Sequence, residues 1–301
     1  MSEFEPEKFD AVFERLPWLR AAGTPERLAG LTNLNYRIGE YVLRISGAGT
    51  SEYISRTDEE VAARSAATAG VNAEVLFFDA SDGLMVTRFI DGGVTMTPER
   101  FRADPGAIRR AGRAMHRLHT EAAPFANEYR VFDVIDEYKA LLLSKSSPMP
   151  DGFDAVQAEA ELGRAALIAN PVPVAPCHCD PLCENFLDTG ETMYLIDYEY
   201  AGNNDPMWDL GDFSVEAGFG PEHDAVLLDA YFEGPHPAAD AARMVIHKAN
   251  CDLVWSLWGI IQHVNENPVD DFWAYGVGRF ERCKQLMESD DFKRAIATLG
   301  G

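Results

Sequence analysis

Basic residues are scarce in this sequence: 26 Lys and Arg stand against 49 Asp and Glu in 301 residues, a formal net charge of −23. A field of that sign repels nucleic acid phosphates and anionic membrane surfaces, and it tolerates or attracts cations. Cysteine is also sparse, with five residues, an odd number too widely spaced for a disulfide framework. Cys177, Cys179 and Cys183 cluster beside His178, but a structural zinc site needs a second regularly spaced pair, which Cys251 and Cys283 do not supply. His116 and His119 lie three apart and have no evident third ligand. The opening MSEFEPEKFDAVFERLPW carries early acids and no long apolar run, so neither a signal peptide nor a membrane span is expected, and a reducing cytoplasm is the expected location. Repeats and low-complexity tracts are missing too. What remains is a chain 47% hydrophobic, able to bury one large core or two smaller lobes.

Patterning along the chain divides it. Residues 5–22 read as one or two helices around Phe9, Phe13, Leu16 and Leu19, and GLTNLNYRI (30–38) and YVLRI (41–45) as two strands joined at Gly39-Glu40. A helix is expected over 59–69, then strands over 75–78 and 84–89 around a turn-rich stretch. Asp91-Gly92-Gly93 is a plausible hinge. Beyond it helical spacing predominates: 101–120, 131–143, 157–168, 210–217, 223–232, 238–264 and 270–289. Two short strands, 185–187 and 193–198, flank Asp188-Thr189-Gly190.

The chemistry concentrates in CHCDPLCENFL (177–187) and LIDYEYA (195–201). Asp180, on a short loop, is placed to sit beside an incoming hydroxyl. Asn185, at a strand start, offers a neutral oxygen, and Asp197, closing the second strand, a charged one. Magnesium takes such hard oxygen donors and completes its shell with water and phosphate. That division of labour suits phosphoryl transfer. His178 reads as a structural residue bonded to loop backbone. Farther on, Trp255 and Trp258 lie three apart on one helix face. Aromatic faces at such spacing usually pack a core, and they can also face a cation.

The H-x-D-x-x-x-x-N run of His178, Asp180 and Asn185, with the I-D-x-E-Y run of Ile196–Tyr200, resembles the choline/ethanolamine kinase family within the aminoglycoside-phosphotransferase-like and protein-kinase-like enzymes. The resemblance runs from about Gly30 to Phe280 and looks closer to bacterial members that prime choline for surface-polysaccharide decoration. It implies an α+β, two-lobed protein-kinase-like fold, with a small β-rich nucleotide-binding lobe (1–90) and a larger, mainly helical catalytic and substrate-binding lobe (91–301). It implies ATP and Mg²⁺ as cofactors, Asp180 as catalytic base, Asn185 and Asp197 as metal ligands, and Glu199 as an acid supporting the metal site. Gly30–Tyr36 looks like the family's nucleotide-covering loop, which assigns Thr32, Asn33 and Asn35 to the nucleotide. Arg44 stands where the family's phosphate-contacting basic residue stands, paired with Glu59 of R-x-x-E or with the adjacent Glu60.

The stretch Trp255-x-x-Trp258…Gln262…Tyr275…Arg279-Phe280 resembles the family's substrate segment, making Trp255, Trp258 and Tyr275 the cage and Glu216 its carboxylate. Asp209 reads there as tying loop amides, and His119 as part of a structural leucine-and-histidine motif. Leu182 departs from eukaryotic relatives, which often carry glutamine there. The expected activity is ATP-dependent phosphorylation of a small cationic alcohol, choline first, with no nucleic acid partner and no membrane insertion. The alternatives are ethanolamine, thiamine or an aminoglycoside as acceptor, or a catalytically silent kinase-like binding protein.

Overall fold

The computed structural model describes residues 6–28, 33–47 and 54–300. Two short helices, α1 (Pro6–Arg15) and α2 (Pro17–Arg20), precede strands β1 (Glu26–Arg27), β2 (Leu34–Ile38) and β3 (Tyr41–Ile45). Helix α3 (Arg56–Thr68) follows, then β4 (Val75–Asp79) and β5 (Leu84–Arg88). The five strands form one antiparallel sheet in the order β1-β2-β3-β5-β4. Gly39 makes the β2–β3 turn at φ 61°, where an added Cβ would strike the Ala22 carbonyl, so the tight hairpin under α2 depends on glycine. Phe9, Val12, Leu16 and Leu19 from the first helices pack on Ile38, Leu43, Leu84 and Val86 of the sheet. The alternating apolar residues of YVLRI thus face a helix pair, and the sequence-based boundaries of β3 hold.

The rest is mainly helical: α4 (Pro98–Ala103), α5 (Pro105–Glu121), α6 (Val131–Ser144), α7 (Phe153–Ala169), α8 (Pro206–Glu216), α9 (Pro221–Tyr231), α10 (Ala238–Val264), α11 (Phe272–Glu288) and α12 (Asp290–Gly300). The single helix expected over 101–120 is two, because Asp104 caps α5 by accepting from the Gly106 N–H at 2.8 Å and Pro105 starts it. Helix α12 and the two-residue strand β6 (Val94–Thr95) were not anticipated. Neither was the pairing of β7 (Ala175–Cys177) with β10 (Gly202–Asn204), whose polar, proline-containing sequences carry no strand pattern. β8 (Phe186–Asp188) and β9 (Met193–Leu195) form a hairpin joined on its outer side by β6.

One core gathers α4, α5, α8 and α9 with β8, β9 and part of α3, and another gathers α6, α7, α10, α11 and α12. Among the described residues, no helix is long and apolar enough to cross a membrane.

Candidate active site

The segment from β7 to β8 is held from beneath. The Asp209 carboxylate, fully buried on α8, accepts the backbone N–H of His178 at 2.7 Å and of Cys179 at 2.9 Å. Its outer partner is His119 Nε2 at 3.0 Å, and His119 Nδ1 meets the Tyr231 hydroxyl at 2.9 Å. Two helices away from the loop therefore fix its entry, with Cys179 in the left-handed region at φ 65°. The His178 Nε2 lies 2.8 Å from the Ile196 carbonyl, and burial lowers the pKa of its ring, so it joins the two motif segments as a neutral structural group. His119, Cys177 and Asp209 bring possible metal-ligand atoms within 4.8 Å of one another. Their hydrogen bonds already engage both Asp209 oxygens and both His119 nitrogens, so the geometry is that of a loop brace.

Asp180 follows this brace, half-buried at the loop's turn. Burial first, then the charges of Glu216, Asp197 and Glu199, hold its carboxyl well above the ordinary aspartate range, opposed by Arg279. Asn185 was expected at a strand start and instead occupies a 3₁₀ turn, Cys183–Asn185, just before β8. That turn aims its amide Nδ2 at the Asp180 carbonyl, 3.1 Å away, a bond that does not use the side-chain oxygen. Asp197 does not close β9: the strand ends at Leu195, and Asp197 stands two residues beyond it at φ 69°. A non-glycine residue held there is strained, a feature that concentrates at functional sites. Its carboxyl is pushed up by burial and pulled back by Arg44, which lies 3.4 Å away.

The sheet supplies the facing side. Arg44, buried on β3, forms an ion pair with Glu59 of α3, while Glu60 pairs with Arg64 at 2.9 Å; the register left open by the sequence resolves to Glu59. Asn35 is the cross-strand neighbour of Arg44. Asn33, buried, donates to Glu199 at 3.3 Å and accepts the Gly47 N–H at 3.3 Å, tying together the open ends of the β2–β3 hairpin. Thr32 lies outside the described residues. Arg56, which sequence reasoning noted only as part of R-x-x-E, reaches Glu59 at 2.6 Å and Glu199 at 3.4 Å. The carboxyl of Glu199 is pushed up to about 7 by burial and the adjacent Asp197 charge. Asp197 and Glu199 thus meet the cations Arg44 and Arg56 across one seam.

The aromatic residues converge as well. Trp255 and Trp258 meet edge to face at 5.9 Å, and Trp258 contacts Tyr275 at 6.1 Å and Phe272 at 5.5 Å. Trp255 was expected as a cage wall; only 8% exposed, it chiefly packs between Trp258 and Tyr200, whose ring is 5.9 Å away. Tyr200 is the link missed from sequence, joining the Asp197–Glu199 segment to the aromatic cluster; its place directly after Glu199 was the available signal. Glu216, expected as the carboxylate of the cage, is paired with Arg279 at 2.5 Å. Helices α10 and α11 approach closely enough for this assembly because Gly259 and Gly276 face each other.

The fold and these motifs place the chain in a family. It belongs to the choline/ethanolamine kinases, whose family model matches residues 28–226, and it is a small-molecule phosphotransferase acting on an alcohol. Protein LicA of Haemophilus influenzae is 28% identical over 273 residues, 86% of this chain and 99% of that protein. Among solved structures, a choline/ethanolamine kinase family protein from Mesorhizobium loti is 50% identical, covers 98% of each chain and superposes with a TM-score of 0.92. Choline kinase LicA from Streptococcus pneumoniae is 25% identical, covering 92% of this chain and 97% of its own, with a TM-score of 0.75. An aminoglycoside phosphotransferase with 13% identity and a TM-score of 0.70 shares the fold.

Proposed function

We propose that this protein transfers the γ-phosphoryl group of ATP to the hydroxyl of choline, giving phosphocholine and ADP. The observation that carries the reading is the continuity from the Asp197–Glu199 seam through Tyr200 to Trp255, Trp258 and Tyr275, an aromatic wall beside a phosphoryl-transfer loop. Asp180 orients the hydroxyl and takes its proton as the oxygen attacks phosphorus and the bond to the ADP oxygen breaks. Its raised pKa suits a base that must accept a proton, and a cation arriving beside Glu216 and Asp197 favours the ionised form it needs. Arg44, kept in place by Glu59, steadies the nucleotide phosphates, with Asn33 and Asn35 shaping the loop over them.

The donor chemistry fits Mg²⁺. Asn185 gives its N–H to the loop and retains an oxygen, and Asp197 supplies a carboxylate, so these two would hold the ion with Glu199 in support. When bound, magnesium neutralises the phosphate charge that builds during transfer.

Ethanolamine is the second reading, supported by 24% identity over 280 residues to a probable ethanolamine kinase A of Dictyostelium discoideum. Purified protein given ATP and Mg²⁺ with choline, ethanolamine, thiamine or an aminoglycoside in parallel, read by coupled ADP release, tests both. Fastest turnover of choline is expected. No turnover across the panel would leave a silent binding protein.

A further inference from the structure

The acids at the cation end of the site carry internal partners, and this bears on which ammonium the pocket selects. Glu216 Oε1 is bound by Arg279 Nη1 at 2.5 Å. Asp252, 1% exposed, lies 2.9 Å from Arg279 Nε and 2.5 Å from Arg282 Nη2. Asp212, fully buried one helical turn before Glu216, accepts the Cys251 thiol at 3.0 Å, and Arg279 Nη2 in turn points at the Cys251 sulfur, 3.4 Å away. Burial, and then the neighbouring Glu216 and Asp180 charges, raise the Asp212 carboxyl well above the ordinary aspartate range. The guanidinium carbon of Arg279 also stands 5.8 Å from the centre of the Tyr275 ring. One buried arginine thus contacts both the carboxylate and an aromatic residue expected to receive the substrate's cation.

We infer that Arg279 is a specificity-determining residue: by compensating Glu216 it leaves the aromatic faces of the head-group pocket beside a carboxylate that is already engaged, and so favours a fully methylated ammonium over one bearing N–H groups. This rests on the kinase reading above. A primary ammonium brings three N–H donors, each of which loses a water on entry and needs an acceptor. Glu216 has one oxygen taken by Arg279, and its charge is balanced by that guanidinium before any substrate arrives. A quaternary head group needs no acceptor and gains from the rings of Trp258 and Tyr275. Arg279 sits within the buried assembly and acts through Glu216.

The test is kcat/KM for choline, N,N-dimethylethanolamine, N-methylethanolamine and ethanolamine. The natural protein is expected to lose efficiency at each methyl removed, by about tenfold or more from choline to ethanolamine. The double variant Arg279→Gln/Asp252→Asn removes one charge of each sign and frees Glu216. It is expected to shrink the choline-to-ethanolamine ratio to about threefold, mainly through a lower KM for ethanolamine. An unchanged ratio in a double variant that still melts cooperatively and binds nucleotide overturns the assignment of Arg279 while leaving the kinase reading intact.

If the double variant does not fold, Glu216→Gln decides. With Glu216 already compensated, choline and ethanolamine should suffer within about threefold of each other, whereas selective loss of ethanolamine overturns the proposal. Turnover of none of the four by the natural protein overturns both readings together.

Discussion

Asp180, Trp258 and Trp255 make the residue-scale case. If Asp180 takes the acceptor's proton, Asp180→Ala should lower kcat by about 10²–10⁴-fold while nucleotide binding, measured by titration, changes little. Equal losses in both would remove Asp180 from that role. The free-enzyme kcat/KM profile should show an acidic limb well above the ordinary aspartate range, because activity needs Asp180 ionised and its pKa is raised. An ordinary limb near the usual aspartate value would contradict this. Trp258→Ala should weaken choline by about 0.5–2 kcal/mol, read as KM. Trp255→Ala should hurt choline more than ethanolamine and also reduce stability, since its ring is largely internal packing.

The motif residues around Asp180 were readable because phosphoryl transfer demands particular oxygen donors at short spacing. The state of Glu216 was not, since its partner lies 63 positions away and only the packing of both α8 and α11 on α10 unites them. Arg56 was hidden for a similar reason: its distant acid, Glu199, lies 143 positions along the chain.

Elements show the same division between local and distant causes. The 27-residue α10 was legible end to end, because its apolar spacing persists without a glycine or proline stop strong enough to break it. The β7–β10 pair was invisible, as its stability comes from what it supports. Asp205, directly after β10, caps α8 by accepting from Met207 N at 3.0 Å and is bound by Arg243 at 2.5 Å and His247 at 2.9 Å. Asp205→Ala should therefore destabilise the protein by about 3–5 kcal/mol in denaturant melts, since it strands a buried arginine as well as removing a cap. The Asp205 carboxyl is held below its ordinary value, so its contribution is complete above the unfolded-state value and fades as pH falls through the folded one. A loss under about 1 kcal/mol would show the cluster to be a passive surface pairing. At the α10–α11 crossing, a Cβ on Gly259 would lie 2.7 Å from the Tyr275 ring and 3.1 Å from the Gly276 backbone. Gly259→Ala should cost about 1–3 kcal/mol and shift KM for the alcohol, through displacement of Tyr275.

For the whole molecule, charge governs the response to pH. Asp180, Asp197, Asp212 and Glu199 all have folded-state pKa values above their ordinary ones, so the folded form binds more protons than the unfolded one between those limits. Stability then falls as pH rises, and the net charge of −23 adds repulsion of the same sign. The ligand-free protein should melt higher at about pH 6 than at about pH 8, with the gap narrowed by Mg²⁺ or salt. A higher melting point at about pH 8 would contradict the arrangement of these acids. Strand patterns first and helical spacing after were legible along the chain, as was the two-lobed kinase-like fold through its motifs, whereas the seam where Arg44 and Arg56 meet Asp197 and Glu199 needed three dimensions.

The glycine-mediated crossing of α10 and α11 separates two kinds of evolutionary freedom. Helix α10 holds Asp205, the cap of α8, through Arg243 and His247 at one end while carrying tryptophans farther along, so it cannot wander without disturbing the helix that braces the loop. Helix α11 carries Phe272, Tyr275 and Arg279, proposed above to meet the acceptor, and among the described residues it makes none of the hydrogen bonds that brace the loop before Asp180. Retargeting the enzyme to a new alcohol should begin there, where ancestral chemistry could survive a change of diet.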